Sequence, residues 1–386
     1  MHVLFIAPQP FYEDRGTPIV IHDTIVALTE LGSEVDLATF PVGSDINLNG
    51  VRVLRTANPL RYRSVPVGFS FRKIVLDVCL LVSVLRLVNR TRYDCIHGVE
   101  EGAALGLICK VLSGMPVIYD MQSSLPEQLR KVWWLRAGPG RWLSLLAERW
   151  LIRGADCIIA SNGLARHVHS IEPRKPVLEC SFDGCDARAR DENLAKSLGT
   201  LGRPTVVYTG TFASYQGLEH LIEAAALVRA EIPEVIFILV GGTETEITRL
   251  SGLLAKYKLG DNVKLHQRRL RQEIPDFTAL ADVLVLPRFS GENAPLKIYD
   301  YLKSGKPIVA TDIPAHRSLL SEETAILVEP NLRGLSDGIL LALRDTAYAK
   351  KVTSAARAFS HKQTMKPLKD SIAEAYRCAT DDWPQQ

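Results

Sequence analysis

Residues 284–311 read LVLPRFSGENAPLKIYDYLKSGKPIVAT. An apolar strand, Val283–Leu286, runs into the loop Arg288-Phe289-Ser290-Gly291-Glu292-Asn293. A helix is predicted next, with Pro295 suited to its first turn, where a missing N–H is no loss. Gly305 stops that helix, and a second apolar strand, Pro307–Ala310, begins. A unit of this kind aims a helix N-terminus at the carboxyl edge of a parallel sheet. Free backbone N–H groups and the helix dipole favour an anion there. Helical spacing puts Pro295, Ile298, Tyr299 and Leu302 on one face, expected to be buried, and Lys297, Asp300 and Ser304 on the opposite face. Glu292 lies in the loop, eight positions before Asp300. Together, a loop carboxylate, a helix carboxylate and a first-turn Lys suit a sugar, a ribose and a phosphate.

Outward from this unit the chain alternates strands and helices. In the first half, strands are predicted at 3–7, 34–39, 50–55, 95–97, 116–119 and 156–160. Helices are predicted at 18–31, 72–90, 101–113 and about 125–153. The pattern breaks over 172–203, where Pro, Gly and charge dominate, and the domain boundary is placed there. A second series follows, with strands at 205–209, 235–240, 263–266, 283–286, 307–310 and 325–328. Such alternation predicts two α/β, Rossmann-like domains, each with a doubly wound parallel sheet. The domains are drawn at 1–185 and 186–360, with a final helix over 361–386.

Bulk properties agree. At 386 residues the chain is long for one core. With 47% hydrophobic and 23% charged residues it reads as a globular protein. A net charge of +3 is too small to argue for a nucleic-acid partner. The start, MHVLFIAP, lacks a basic n-region, so no signal peptide is expected. No apolar run reaches the length of a membrane span. The Cys at 79, 95, 109, 157, 180, 185 and 378 are scattered and form no Cys-x-x-Cys pair, as expected of reduced thiols in a cytoplasmic protein.

The frame Glu292-Asn293-Ala294-Pro295-Leu296-Lys297-Ile298-Tyr299-Asp300, followed by Gly305-Lys306-Pro307-Ile308-Val309, resembles the donor site of family 4 retaining glycosyltransferases (glycosyl transferases group 1). Their signature is Glu, seven residues, Glu, then a small-residue turn and a Pro-Val-Val-like strand. Here Asp300 replaces the second Glu. The resemblance implies the GT-B fold, two Rossmann-like domains facing across a cleft, with the 361–386 helix packing back on the first. It implies transfer of a sugar from a nucleotide diphosphate sugar to a saccharide or lipid-linked acceptor hydroxyl, with retention and without a metal or other cofactor. Glu292 would contact the sugar, Asp300 the ribose, and the amides of Asn293, Ala294, Pro295 and Leu296 the phosphate. A sugar-nucleotide epimerase and a non-catalytic partner protein of the same fold stay open as alternatives.

The second domain opens Val207-Tyr208-Thr209-Gly210-Thr211-Phe212-Ala213-Ser214-Tyr215-Gln216-Gly217. The resemblance would put an Arg and a Lys, which bind the diphosphate, where Thr211 and Gln216 stand. A diphosphate needs counter-charge. Arg288 and Lys297 are the expected replacements, with Arg268 and Arg269 as further candidates. In the first domain, Gly16 sits in the loop expected to face sugar and acceptor, and His97 and Asp120 at strand ends are candidate acceptor-site residues. His97 reads equally well as a core histidine, and Asp120 as the start of a turn. No His spacing suits a metal. Residues 61–92 and 130–153 combine basic residues with apolar helices, and the second holds Trp133, Trp134, Trp142 and Trp150. That composition suits peripheral contact with an anionic membrane.

Overall fold

The apolar runs of the first half become seven parallel strands in the computed structural model: β1 (His2–Ala7), β2 (Glu34–Thr39), β3 (Val51–Arg55), β4 (Cys95–Val99), β5 (Val117–Met121), β6 (Cys157–Ala160) and β7 (Val177–Glu179). Their order is β3-β2-β1-β4-β5-β6-β7. The second half supplies β8 (Thr205–Thr209), β9 (Ile236–Gly242), β10 (Val263–Gln267), β11 (Val283–Leu286), β12 (Ile308–Thr311) and β13 (Ile326–Val328), ordered β10-β9-β8-β11-β12-β13 and again parallel. The structure describes residues 1–13, 16–65, 70–129, 138–179, 184–291, 294–363 and 368–380. Two units result, residues 1–181 with 366–386, and residues 182–365.

Strand side chains alternate between sheet faces, and in the first unit the two faces feed two cores. Leu4, Ile6, Ile96 and Tyr119 pack with Leu76, Leu80 and Val84 of the helix Phe71–Arg90. Val3, Phe5 and Ile118 face Ile21, Ile25 and Leu28. On the same side lie Ile372, Ala375 and Tyr376 of the helix Leu368–Ala379. Ser70 caps Phe71–Arg90 by accepting the Lys73 N–H. Gly114, left-handed at φ 73°, ends Gly102–Ser113. The second unit repeats the plan, with Val206, Tyr208 and Val285 in one core and Val207, Leu284 and Tyr301 in the other.

The stretch 172–203 is not a bare linker. It contains β7 and the helix Glu192–Ser197, which Asp191 caps. β7 is a three-residue edge strand that is only partly buried, so its composition resembles a loop. The single helix expected over 125–153 is described as Leu125–Leu129 and Gly138–Gly154, and residues 130–137 lie outside the described set.

Candidate functional site

In the second sheet, chain connections run outward in opposite directions from the neighbours β8 and β11. Ligands of open α/β sheets bind beyond the carboxyl ends of strands at such a switch point. The loops that leave these two strands there are 210–217 and 287–291. Gly210 has φ 122°, and a Cβ on it would overlap the Lys297 ammonium. Gly217 has φ 77°, and a Cβ on it would strike the Pro287 carbonyl. Glycine therefore lets both loops approach the same point.

Three side chains meet at that point. Arg288 Nε donates to Gln216 Oε1 at 3.1 Å. Lys297 Nζ reaches the same oxygen at 3.5 Å. Gln216 Nε2 in turn lies 3.5 Å from Thr211 Oγ1. The Arg288 guanidinium sits 5.1 Å from the Tyr215 ring centroid, and the Tyr208 hydroxyl donates to the Thr211 carbonyl at 2.9 Å. Burial lowers the Lys297 pKa well below its ordinary value, and the neighbouring Arg288 charge adds to this. Burial also lowers Arg288. Among the described residues, no carboxylate forms a salt bridge with Lys297. The two cations expected to replace the missing basic pair are thus adjacent to Thr211 and Gln216, and suited to an anion.

The helix behind them is shorter than the sequence suggested. It spans Lys297–Ser304, ends at Gly305 (φ 70°), and buries Ile298, Tyr301 and Leu302. Tyr301, not Tyr299, faces the core, where its hydroxyl accepts the Thr209 N–H at 2.9 Å. Pro295 lies two residues before the helix, and its carbonyl accepts the Ile298 N–H at 3.0 Å. Proline has no N–H, so Pro295 cannot belong to an amide set for phosphate. Ala294 and Leu296 lie at the helix entrance; Glu292 and Asn293 fall outside the described residues. Asp300 Oδ1 accepts the Cys185 N–H at 2.7 Å. Burial raises the Asp300 pKa, with that N–H opposing. One oxygen of the expected ribose ligand is therefore already engaged.

Two residues near this site carried no role in the sequence. Tyr208 offers its ring face to Lys297. His316, fully buried, has Nδ1 2.8 Å from the Thr311 carbonyl, and its Nε2 has no hydrogen-bond partner among the described residues. Burial lowers its pKa to about 4. A carbonyl only accepts, so Nδ1 carries the proton and Nε2 is a bare acceptor.

Two other candidates of the second unit, Arg268 and Arg269, do not join this cluster. Arg268 is exposed, and its backbone N–H donates to Gly242. Arg269 lies 3.7 Å from Glu273. In the first unit, Gly16 opens the helix Gly16–Glu30 rather than lying in a loop. His97 is fully buried, stacked on Phe5 at 4.2 Å, with Nδ1 2.9 Å from the Tyr376 hydroxyl and Nε2 3.5 Å from Asp120 Oδ2. Asp120 is 1% exposed and also accepts from Gln122. The burial of the His97 ring among these partners is what the core-histidine reading expects.

The first unit also presents an unusual outer face. On Gly138–Gly154 every exposed residue is apolar, glycine, proline or arginine, including Trp142 at 60% and Trp150 at 49% exposure. The helix's only acid, Glu148, is fully buried against the Leu125 N–H and His167. The packed neighbour Gly102–Ser113 exposes Ile108, Val111 and Leu112. Phe71–Arg90, beside it, exposes Ile74, Val78, Val82 and three arginines but no acid. Trp133, Trp134 and Arg136 lie outside the described residues. No helix among the described residues is long and apolar enough to cross a membrane.

Comparison with known proteins gives the following. The family model described as Glycosyl transferases group 1 matches residues 189–359, and that described as Glycosyl transferase 4-like domain matches residues 15–176. Alpha-D-kanosaminyltransferase of Streptomyces kanamyceticus is 25% identical over 321 residues, covering 77% of this chain and 81% of the relative. Sucrose-phosphate synthase from Thermosynechococcus elongatus has a similar structure, with a TM-score of 0.80 at 20% identity over 97% of this chain and 98% of that one. HepE of Anabaena, solved with UDP-glucose, has a TM-score of 0.74 at 19% identity over 98% and 99% of the two chains.

Proposed function

The chain belongs to the group 1 glycosyltransferases and has their GT-B fold of two Rossmann-like domains; from that premise we propose that it moves a sugar from a nucleotide diphosphate sugar to a hydroxyl of a saccharide or lipid-linked acceptor, with retention of configuration. The observation that carries this reading is the convergence of Arg288 and Lys297 on one point beside Gly210–Gln216. Preorganised cations at a leaving diphosphate stabilise the charge that develops as the glycosidic bond breaks. They supply that charge without a metal. The acceptor proton passes to the departing phosphate oxygen, so no dedicated base is assigned. Glu292 contacts the sugar in this reading, on the strength of the sequence frame alone.

The basic, tryptophan-bearing face of the first unit supports peripheral attachment to an anionic bilayer, and with it a lipid-linked acceptor. Calorimetry with UDP, GDP and ADP, followed by NMR of the anomeric proton in the product, tests the proposal. Failure of all three nucleotides to bind would overturn it, and an inverted anomer would remove retention.

A further inference from the structure

Gln216 occupies the place where a cation would be expected in a diphosphate site, yet it is 5% exposed and in contact with both cations that are present. Its Oε1 receives Arg288 from the end of β11 and Lys297 from the first turn of the following helix. Two cations from different elements aimed at one oxygen is the arrangement that a phosphate oxygen satisfies. A carboxamide oxygen satisfies it poorly, since it carries only partial charge. Lys297 has donors to spare and makes one long hydrogen bond here.

We propose that the Gln216 carboxamide oxygen stands where a donor diphosphate oxygen binds, and that the donor displaces it. The inference rests on the glycosyltransferase reading above and adds a built-in competitor to that site. The loop cannot yield as a whole. Residues Ser214–Gln216 form a 3-10 turn closed by left-handed Gly217, which is wedged against the Pro287 carbonyl. The side chain can yield, because its torsions are free once Oε1 loses its partners. Gln216 therefore holds a hydrogen-bond acceptor against two partly buried cations and sets a threshold that only a charged ligand exceeds.

The test is calorimetric titration of the wild type, Gln216→Met and Gln216→Glu with UDP, uridine and inorganic pyrophosphate. Methionine keeps the volume and removes the acceptor. Gln216→Met is expected to bind UDP and pyrophosphate about fivefold tighter, the scale of one modest hydrogen bond, with uridine unchanged. Gln216→Glu places a carboxylate on both cations and is expected to bind UDP and pyrophosphate at least about tenfold more weakly. Gln216→Leu repeats the first arm should the Met variant not fold. Wild-type binding of pyrophosphate that weakens in Gln216→Met would overturn the displacement while leaving the transferase reading intact, because Gln216 would then be a phosphate ligand. Absence of pyrophosphate, UDP, GDP and ADP binding in the wild type and both variants would overturn the transferase reading together with it.

Discussion

The Lys297 ammonium nitrogen lies 3.9 Å from the centroid of the Tyr208 ring, on the strand that leads into Gly210. The ring face attracts the cation, but burial and Arg288 both disfavour its charge. A bound diphosphate reverses that balance and favours the ammonium. Nucleotide diphosphate binding should therefore take up protons, increasingly as pH rises. The measurement is the binding enthalpy at pH 8.5 in two buffers of different ionisation enthalpy. Lys297→Arg should lose the buffer dependence, since guanidinium stays charged. Lys297→Ala should weaken diphosphate binding by about 1.5–3 kcal/mol, the range for hydrogen bonds to charged groups, and leave nucleoside binding alone. Equal losses for nucleoside and diphosphate would remove Lys297 from the phosphate site.

Arg288 and Lys297 were legible in the sequence because they belong to one strand-loop-helix unit, and because Thr211 and Gln216 left a charge deficit near them. What was not legible depends on contacts distant in sequence. The Tyr376 hydroxyl meets His97 across 279 positions, and no periodicity on β4 announces it. Gln216 reads as a mere substitution until Arg288, 72 positions away, is seen to donate to it. The error over Tyr299 and Tyr301 is of another kind. Both fit a helical stripe; one that starts at Pro295 takes in Tyr299, whereas the helix begins at Lys297 and buries Tyr301. The strands were legible throughout except β7, whose edge position leaves too few buried residues for a hydrophobic signal.

Glu292→Gln is expected to lower turnover far more than nucleotide affinity. In the proposed function, by resemblance to the family, Glu292 would contact the sugar and Asp300 the ribose of the nucleotide. An interaction made chiefly in the transition state lowers kcat and kcat/KM together. Steady-state kinetics decide it: normal kcat with a raised donor KM would assign Glu292 to ground-state binding instead.

His316 should impose an acid limit on stability. Its folded pKa of about 4 lies below the ordinary 6.5, so the unfolded chain takes up the proton first as pH falls. The contribution is intact above pH 6.5 and is lost between 6.5 and 4. At 1.36 kcal/mol per pH unit, the loss amounts to about 3 kcal/mol by pH 4. In urea unfolding, the stability gap between wild type and His316→Gln should narrow by about 2 kcal/mol from pH 7 to pH 5. A gap that stays constant would mean that the buried ring titrates as it does in the unfolded chain.

The last expectation concerns the outer face of the first unit. Trp142, Leu146 and Trp150 follow one another at four-residue intervals and form a stripe along Gly138–Gly154, with Arg141 and Arg149 beside it. Exposed tryptophan next to arginine fits the boundary between headgroups and acyl chains of an anionic bilayer. Each arginine near such a surface contributes about 1 kcal/mol, and salt screens the attraction. The protein should co-sediment with anionic vesicles at low salt, release from them at high salt, and ignore neutral vesicles. Arg141→Glu with Arg149→Glu removes two attractions and adds two repulsions, so binding should fall more than about tenfold. Trp142→Ser with Trp150→Ser should weaken binding at every salt concentration, because the buried apolar area is lost rather than the charge. Vesicle binding that is insensitive to all four changes would place the contact elsewhere on the chain, and no binding to anionic vesicles at low salt would leave this face without a membrane role.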